Sequence, residues 1–273
     1  MKEIEFDLLT EPWIRVRLKD NTVQEVSLTE ALVSAQDYVD LAGEMPTQDA
    51  AVLRLLLAVL FTVFSRVNVE GEPELLEKRG QALRRWSELW QLGHFPAEPI
   101  LDYLEQWKDR FWLFHPTHPF WQVPTLCNGI AFGGKKLNGE RAESGNKTPL
   151  FQNVSKTECE VLSYAQAARW LIYQNGYDER GGRPKAGNKP RHGVGWLGQI
   201  GFVAVKGKNL YETLLRNMVF PTEQDALREE QQPCWEREQV RAEQSVKIVM
   251  PKNQAETPPK AAKTPRHPQS GGA

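Results

Sequence analysis

The chain has 273 residues, 40% of them hydrophobic, with nine Trp and eleven Phe, which supplies a core for one large domain or two small ones. Its formal net charge of −1 gives no global argument for nucleic acid or a membrane surface, so any electrostatic argument has to be local. Three distant cysteines (Cys127, Cys159, Cys234) form no C-x-x-C pair and argue against a zinc site or disulfide scaffold, while the acidic start MKEIEFDLLTEPW lacks a signal-peptide pattern, so the expectation is a soluble cytoplasmic protein.

Residues 4–26 read as β structure. Ile14, Val16 and Leu18 alternate with Arg15 and Arg17, the period of a half-buried strand, and Lys19-Asp20-Asn21 turns it into a returning strand over Val23 to Val26. A short helix is expected from Ser27 to Gln36, capped by Ser27, with Leu28, Ala31 and Leu32 on one face. The next helix starts after Pro46 with Thr47 as its expected cap and is apolar from Ala50 to Phe64. Arg54 and Arg66 bracket only eleven residues of it, whereas a bilayer needs about twenty, so it reads as a buried core helix. Further helices are expected at 73–91, on Leu76, Leu83, Trp86 and Trp90, and at 98–109, on Leu101, Leu104 and Trp107.

The stretch FWLFHPTHPFWQVP follows at 111–124. His115 and His118 are three apart, but Pro116 and Pro119 exclude the helix on which such a pair meets a metal, and no acid or cysteine joins them. Packing among aromatic rings is the favoured role. Residues 127–149 are long, loop-like and rich in Gly, Asn and Lys. After Leu150-Phe151-Gln152-Asn153, a helix is expected from Lys156 to Tyr173 with Val161, Ala165, Ala168 and Ile172 on one stripe.

That helix feeds GYDERGGRPKAGNKPRHGVGWLGQIGFVAVKGK, residues 176–208. Between Arg180 and Tyr211 there is no acidic residue, while Arg180, Arg183, Lys185, Lys189, Arg191, Lys206 and Lys208 lie among glycines. Glycine lets backbone approach a ligand closely, and Lys and Arg neutralise phosphates. Two readings stand for this stretch: a solvated surface loop, or a segment that holds nucleic acid. Gly193, Gly195 and Gly198 fit G-x-G-x-x-G, but a helix precedes them and a strand, expected over Gln199 to Val205, follows, the reverse of a dinucleotide site. A helix over Asn209 to Met218 comes next. From 222 the chain turns polar, with Pro233-Cys234-Trp235-Glu236 as its aromatic landmark, and 251–273 carries five prolines, several lysines and no large apolar residue, the composition of a disordered tail. No Walker A, G-x-S-x-G or H-E-x-x-H motif occurs, so a binding or assembly protein is favoured over an enzyme, and no cofactor is called for.

Taken in order, these landmarks resemble a known family. Phe6-Asp7-Leu8-Leu9-Thr10-Glu11-Pro12-Trp13-Ile14, Ser27-Leu28, Leu53-Arg54-Leu55-Leu56-Leu57-Ala58, Arg110 to Phe114 with Pro119-Phe120-Trp121-Gln122, and Pro233 to Glu236 are similar to the CasA family, the large subunit of the type I-E CRISPR Cascade complex. The resemblance implies an antiviral surveillance subunit that contacts the crRNA 5′ end, reads the protospacer-adjacent motif of target double-stranded DNA from the minor groove, and helps recruit a helicase-nuclease. It implies crRNA or backbone-subunit contacts for Phe151 and Asn153. For DNA it implies a glycine loop at Gly181, Gly182 and Gly187, with Arg183, Lys185, Lys189 and Arg191 beside it. The alternative is a structural assembly subunit or an inactive remnant. The fold expected is α+β, a mixed N-terminal domain over 1–221 with β-hairpins and at least five helices. A polar helical or linker segment over 222–250 and the tail over 251–273 follow. Family members are roughly twice as long, and neither their C-terminal four-helix bundle nor their lysine finger and wedge hairpin can be placed in this sequence, as in a C-terminally truncated member.

Overall fold

A computed structural model describes residues 4–124, 134–137, 161–177, 195–220 and 232–237. The chain opens with strand β1 (Glu5–Asp7), then β2 (Ile14–Arg17) and β3 (Val23–Val26) in an antiparallel hairpin. Register pairs Ile14 with Val26 and Arg17 with Val23, and Asn21 takes φ 66° in the turn, as the Lys19-Asp20-Asn21 signal predicts. Strand β4 (Asp40–Leu41) adds to the other side of β2, giving the order β3-β2-β4.

Helix α1 (Leu28–Val33) keeps its expected cap and face. Ser27 Oγ accepts from the Glu30 amide at 3.1 Å, and Leu28, Ala31 and Leu32 are buried. Helix α2 (Pro46–Phe64) is the core, packed against α4, α6 and α7 (ranges below). It begins two residues earlier than a Thr47 cap predicts. Pro46 takes the first helical position, where its missing N–H costs nothing, and Met45 is the cap residue without a side-chain bond. The first-turn side chains reach backwards instead: Asp49 accepts from Gly43 N at 2.7 Å and Gln48 from Glu44 N at 3.0 Å. By length and composition α2 would cross a membrane, yet 67% of its most apolar window is buried within this fold.

The second expected helix starts later and turns a different face inward. Gly71, at φ 87°, reverses the chain, and Glu74 N and Leu76 N bond to Arg66 O and Ser65 O, so 73–76 runs extended against the end of α2. Helix α3 (Arg79–Leu92) then buries Ala82, Arg85 and Leu89, leaving Leu83 59% exposed. Arg85 donates to Phe64 O at 2.8 Å, to Val67 O and to Glu74 at 2.7 Å, while its buried Nε has no hydrogen-bond partner. Helix α4 (Ala97–Gln106) buries Ile100, Tyr103 and Leu104, while Leu101 is 45% exposed.

Strand β5 (Trp112–Phe114) pairs antiparallel with β1, Glu5 opposite Phe114, a pairing across a hundred residues that local pattern does not reveal. The four-residue α5 (Gly134–Leu137), then α6 (Tyr164–Tyr177) and α7 (Leu210–Asn217) complete the named elements. Helix α7 is capped by Asn209, whose side chain accepts from Glu212 N at 2.8 Å, and buries Leu210, Leu214 and Leu215 as expected. The architecture is α+β, helices packed around α2 with two small antiparallel sheets at one side.

Candidate nucleic-acid interface

Helix α6 carries the chain to the basic glycine-rich stretch. It starts at Tyr164 rather than near Lys156, because Ser163 and Gln166 cap each other reciprocally: Ser163 Oγ accepts from Gln166 N, and Gln166 Oε1 from Ser163 N, both at 3.1 Å. Val161, expected on the buried stripe, precedes this cap and is 77% exposed, whereas Ala165, Ala168 and Ile172 are buried. The helix also runs on past Tyr173, through Gly176. That glycine is dictated by close approach. A Cβ there would lie 2.9 Å from Leu197 Cδ1 and 3.9 Å from the Ala51 methyl of α2. Leu197, 2% exposed, belongs to a single 3₁₀ turn at Trp196–Gln199 that packs on α6. The two ends of the 178–194 stretch are thereby held side by side.

A buried guanidinium fixes α6 to the sheet. Arg169 donates to Trp13 O at 2.6 Å, to Glu25 at 2.7 Å and to Glu44 at 2.6 Å, with its side chain 3% exposed. Burial raises the Glu44 carboxyl, but the hydrogen bond and charge of Arg169 outweigh it and hold the group below its usual range.

The last turn of α6 meets the strand-like segment that leads into the other candidate region. Asn175 Nδ2 reaches Trp121 O at 3.4 Å, and Gln174 Nε2 donates to Leu137 O at 2.8 Å. Trp121 sits at φ 51° and stacks on Phe120, which stacks on Phe111. The described chain before residue 125 and the end of α6 are therefore neighbours. Upstream, the two histidines build a turn: His115 Nδ1 accepts from the His118 and Thr117 amides at 2.8 and 3.2 Å, and the rings stack 5.6 Å apart. Burial and the neighbouring His118 lower the His115 pKa. Among the described residues no group of three or more His, Cys, Asp or Glu is arranged to hold a metal.

Pro233-Cys234-Trp235-Glu236 is a latch. Trp235 is 4% exposed, packs against Phe111, and donates Nε1–H to Tyr103 Oη at 2.6 Å. Tyr103 donates in turn to Glu236 at 2.7 Å, and Arg66 clasps the same carboxylate with two bonds of 2.7 and 2.8 Å. Trp121 Nε1 donates to Cys234 Sγ.

Phe151, Asn153, Gly181, Gly182, Arg183, Lys185, Gly187, Lys189 and Arg191 lie outside the described residues. Of the basic concentration, Lys206 and Lys208 are described; Lys206 is an internal tie, its Nζ 2.6 Å from Asp40, and Lys208 is exposed. The strand expected over Gln199 to Val205 is not formed. Residues 201–207 are irregular, and Val205 exchanges its backbone bonds with the Asn217 side-chain amide, at 2.9 and 2.8 Å, in place of a strand partner. Gly195 precedes the 3₁₀ turn and Gly198 falls within it, and the described residues 200–207 that follow hold no α-helix, so the glycine spacing lacks the helix of a dinucleotide site.

The family model for CRISPR-associated protein Cse1 matches residues 7–258. A CRISPR-associated protein CasA/Cse1 of Thermus thermophilus is 36% identical over 237 residues, 85% of this chain and 42% of that protein. The crystal structure of Thermobifida fusca Cse1 superposes with a TM-score of 0.70 at 34% identity, over 87% of this chain and 44% of that one. A chain of a CRISPR RNA-guided surveillance complex, pre-nicking, superposes with a TM-score of 0.62 at 25% identity, over 78% of this chain and 42% of that one. The chain thus spans less than half the length of these relatives.

Proposed function

The chain belongs to the CRISPR-associated Cse1 (CasA) family, and from that premise we propose that it is a non-catalytic nucleic-acid-binding subunit of a cytoplasmic, type I-E Cascade-like surveillance complex. It contacts the crRNA 5′ end and neighbouring subunits through Phe151 and Asn153. It meets the protospacer-adjacent motif of target duplex DNA with the backbone of Gly181, Gly182 and Gly187 and with Arg183, Lys185, Lys189 and Arg191, and it helps recruit the helicase-nuclease. The observation that supports this reading most is the packing of Gly176 on Leu197, which brings together the residues on either side of the segment that holds the glycines and the cations Arg183, Lys185, Lys189 and Arg191. A narrow minor groove admits backbone without side chains, and flanking cations neutralise its phosphates.

The test is assembly with crRNA and the other Cascade subunits, followed by binding to duplexes with and without a cognate motif. Stable incorporation and motif-dependent binding are expected. The double variant Arg183→Glu and Lys185→Glu should weaken DNA binding and lower the slope of log affinity against log salt by roughly two, about 0.9 per phosphate contact. A chain that incorporates without motif dependence is a structural assembly subunit. No incorporation would overturn both readings.

A further inference from the structure

On the face of the domain formed by the first turn, α1 and α4 lies an open groove of about 500 Å³. Its floor is apolar: Leu9, Val33, Leu101 and Leu104 line it, and Leu101 presents 45% of its surface to solvent in the middle of α4. The rim carries the carboxylates Asp7, Glu30 and Glu105 against one cation, Lys108, which is already paired with Glu105. The walls are set in advance. Leu28 N bonds to Leu8 O at 3.1 Å, and Asp7 holds its own turn by accepting from Leu9 N and Thr10 Oγ1 at 2.9 and 2.8 Å.

We infer that this groove docks a segment of a partner protein in which an apolar side chain sits between lysines or arginines. The charge decides the class of partner. Three carboxylates around an apolar floor repel a phosphate backbone, so RNA and DNA are disfavoured, whereas a Lys or Arg flanking a seated leucine meets opposite charge on both sides. The exposed leucine supplies the anchor that a short helix or extended peptide buries, and the acidic rim supplies register and on-rate.

The probe is a fluorescein-labelled heptapeptide, Lys-Arg-Leu-Ser-Leu-Lys-Arg, titrated with the purified chain by fluorescence anisotropy. Two control peptides accompany it, one with both leucines replaced by serine and one with acidic flanks. The basic leucine peptide should bind at least tenfold more tightly than either control. The variants Leu101→Ser and Glu105→Lys change exposed positions and should leave thermal stability unaltered while each weakens that binding about tenfold, the loss expected of an interface anchor. No measurable binding, equal binding of the three peptides, or variants without effect would each overturn the inference.

Discussion

The helical body around α2 and the glycine-rich stretch at 178–194 are both supplied with arginine, and they use it in opposite settings. In the body, Arg66, Arg85 and Arg169 each bind carboxylates and, for two of them, backbone carbonyls, so their charge is spent on holding elements together. In the stretch, no acidic residue occurs between Arg180 and Tyr211. The difference teaches that a cation's role depends on where its counter-charge comes from. Glu25 and Glu44 lie more than a hundred positions from Arg169, so the sequence around that arginine carries no sign of its pairing. A lack of nearby acids is therefore weak evidence taken alone. It gains force C-terminal to Asp178-Glu179 because the flanking residues Gly176 and Leu197 pack against each other.

The largest break in the body should come from Arg169→Met. Removing one partner of a buried ion pair usually costs about 3–5 kcal/mol, and the loss here should be near the lower end, since Glu25 and Glu44 keep 39% and 24% of their side chains in water. Chemical denaturation should show that drop in unfolding free energy; an unchanged value would mean the triad is not part of the stability of the fold. Trp235→Phe should follow, at about 1–2 kcal/mol, because it leaves the ring in place but removes the N–H that satisfies buried Tyr103. Full retention of stability would mean that the latch at 232–237 contributes nothing to the body.

Much of that body was legible. The β2–β3 hairpin, the Ser27 cap with its Leu28, Ala31 and Leu32 face, and the existence of α7 follow from period, turn and capping chemistry that act within a few residues. What escaped is non-local. Leu76 was assigned to a helix and is buried outside one, because the backbone of 73–76 finds partners at the end of α2 instead. Arg85 is buried in α3 because Glu74 and two carbonyls from outside that helix receive it, partners that helical spacing does not reveal. The apolar run at 200–205 looked like a strand, yet no neighbouring strand meets it and a side-chain amide took the bonds. The same limit applies to the candidate site. The spacing of Gly176 and Leu197 says nothing of their contact, and Trp235-Glu236 announced an aromatic landmark without announcing that Tyr103 and Arg66 receive it.

A smaller effect separates the pH behaviour of the triad from its packing. The folded-state carboxyl of Glu44 is held below its ordinary value of 4.5, so the unfolded chain takes up that proton first on acidification. Its contribution is complete above 4.5 and is lost as pH falls through the lowered folded value. Asp49 runs the other way: burial raises its carboxyl, so acidification relieves a penalty there. Comparing wild type with Glu44→Gln isolates the first group. Stability should fall less steeply below pH 4.5 in the variant, and identical acid limbs would remove Arg169–Glu44 as a source of pH dependence.

The smallest change in stability should come from the charge reversal Arg183→Glu with Lys185→Glu. If the comparison between the two regions is right, these cations hold no element of the body, and unfolding free energy should stay within about 0.5 kcal/mol of wild type, the range of surface substitutions. The same two changes are expected to lower the salt dependence of DNA binding, so stability and binding move independently. Arg169→Met should do the reverse, destabilising the chain while leaving the salt slope of whatever folded fraction remains. A loss of stability from Arg183→Glu and Lys185→Glu as large as that from Arg169→Met would make the basic stretch one more internal tie, as Lys206 already is through Asp40. Its glycines would then serve close packing, as Gly176 does against Leu197, with no ligand required to explain them.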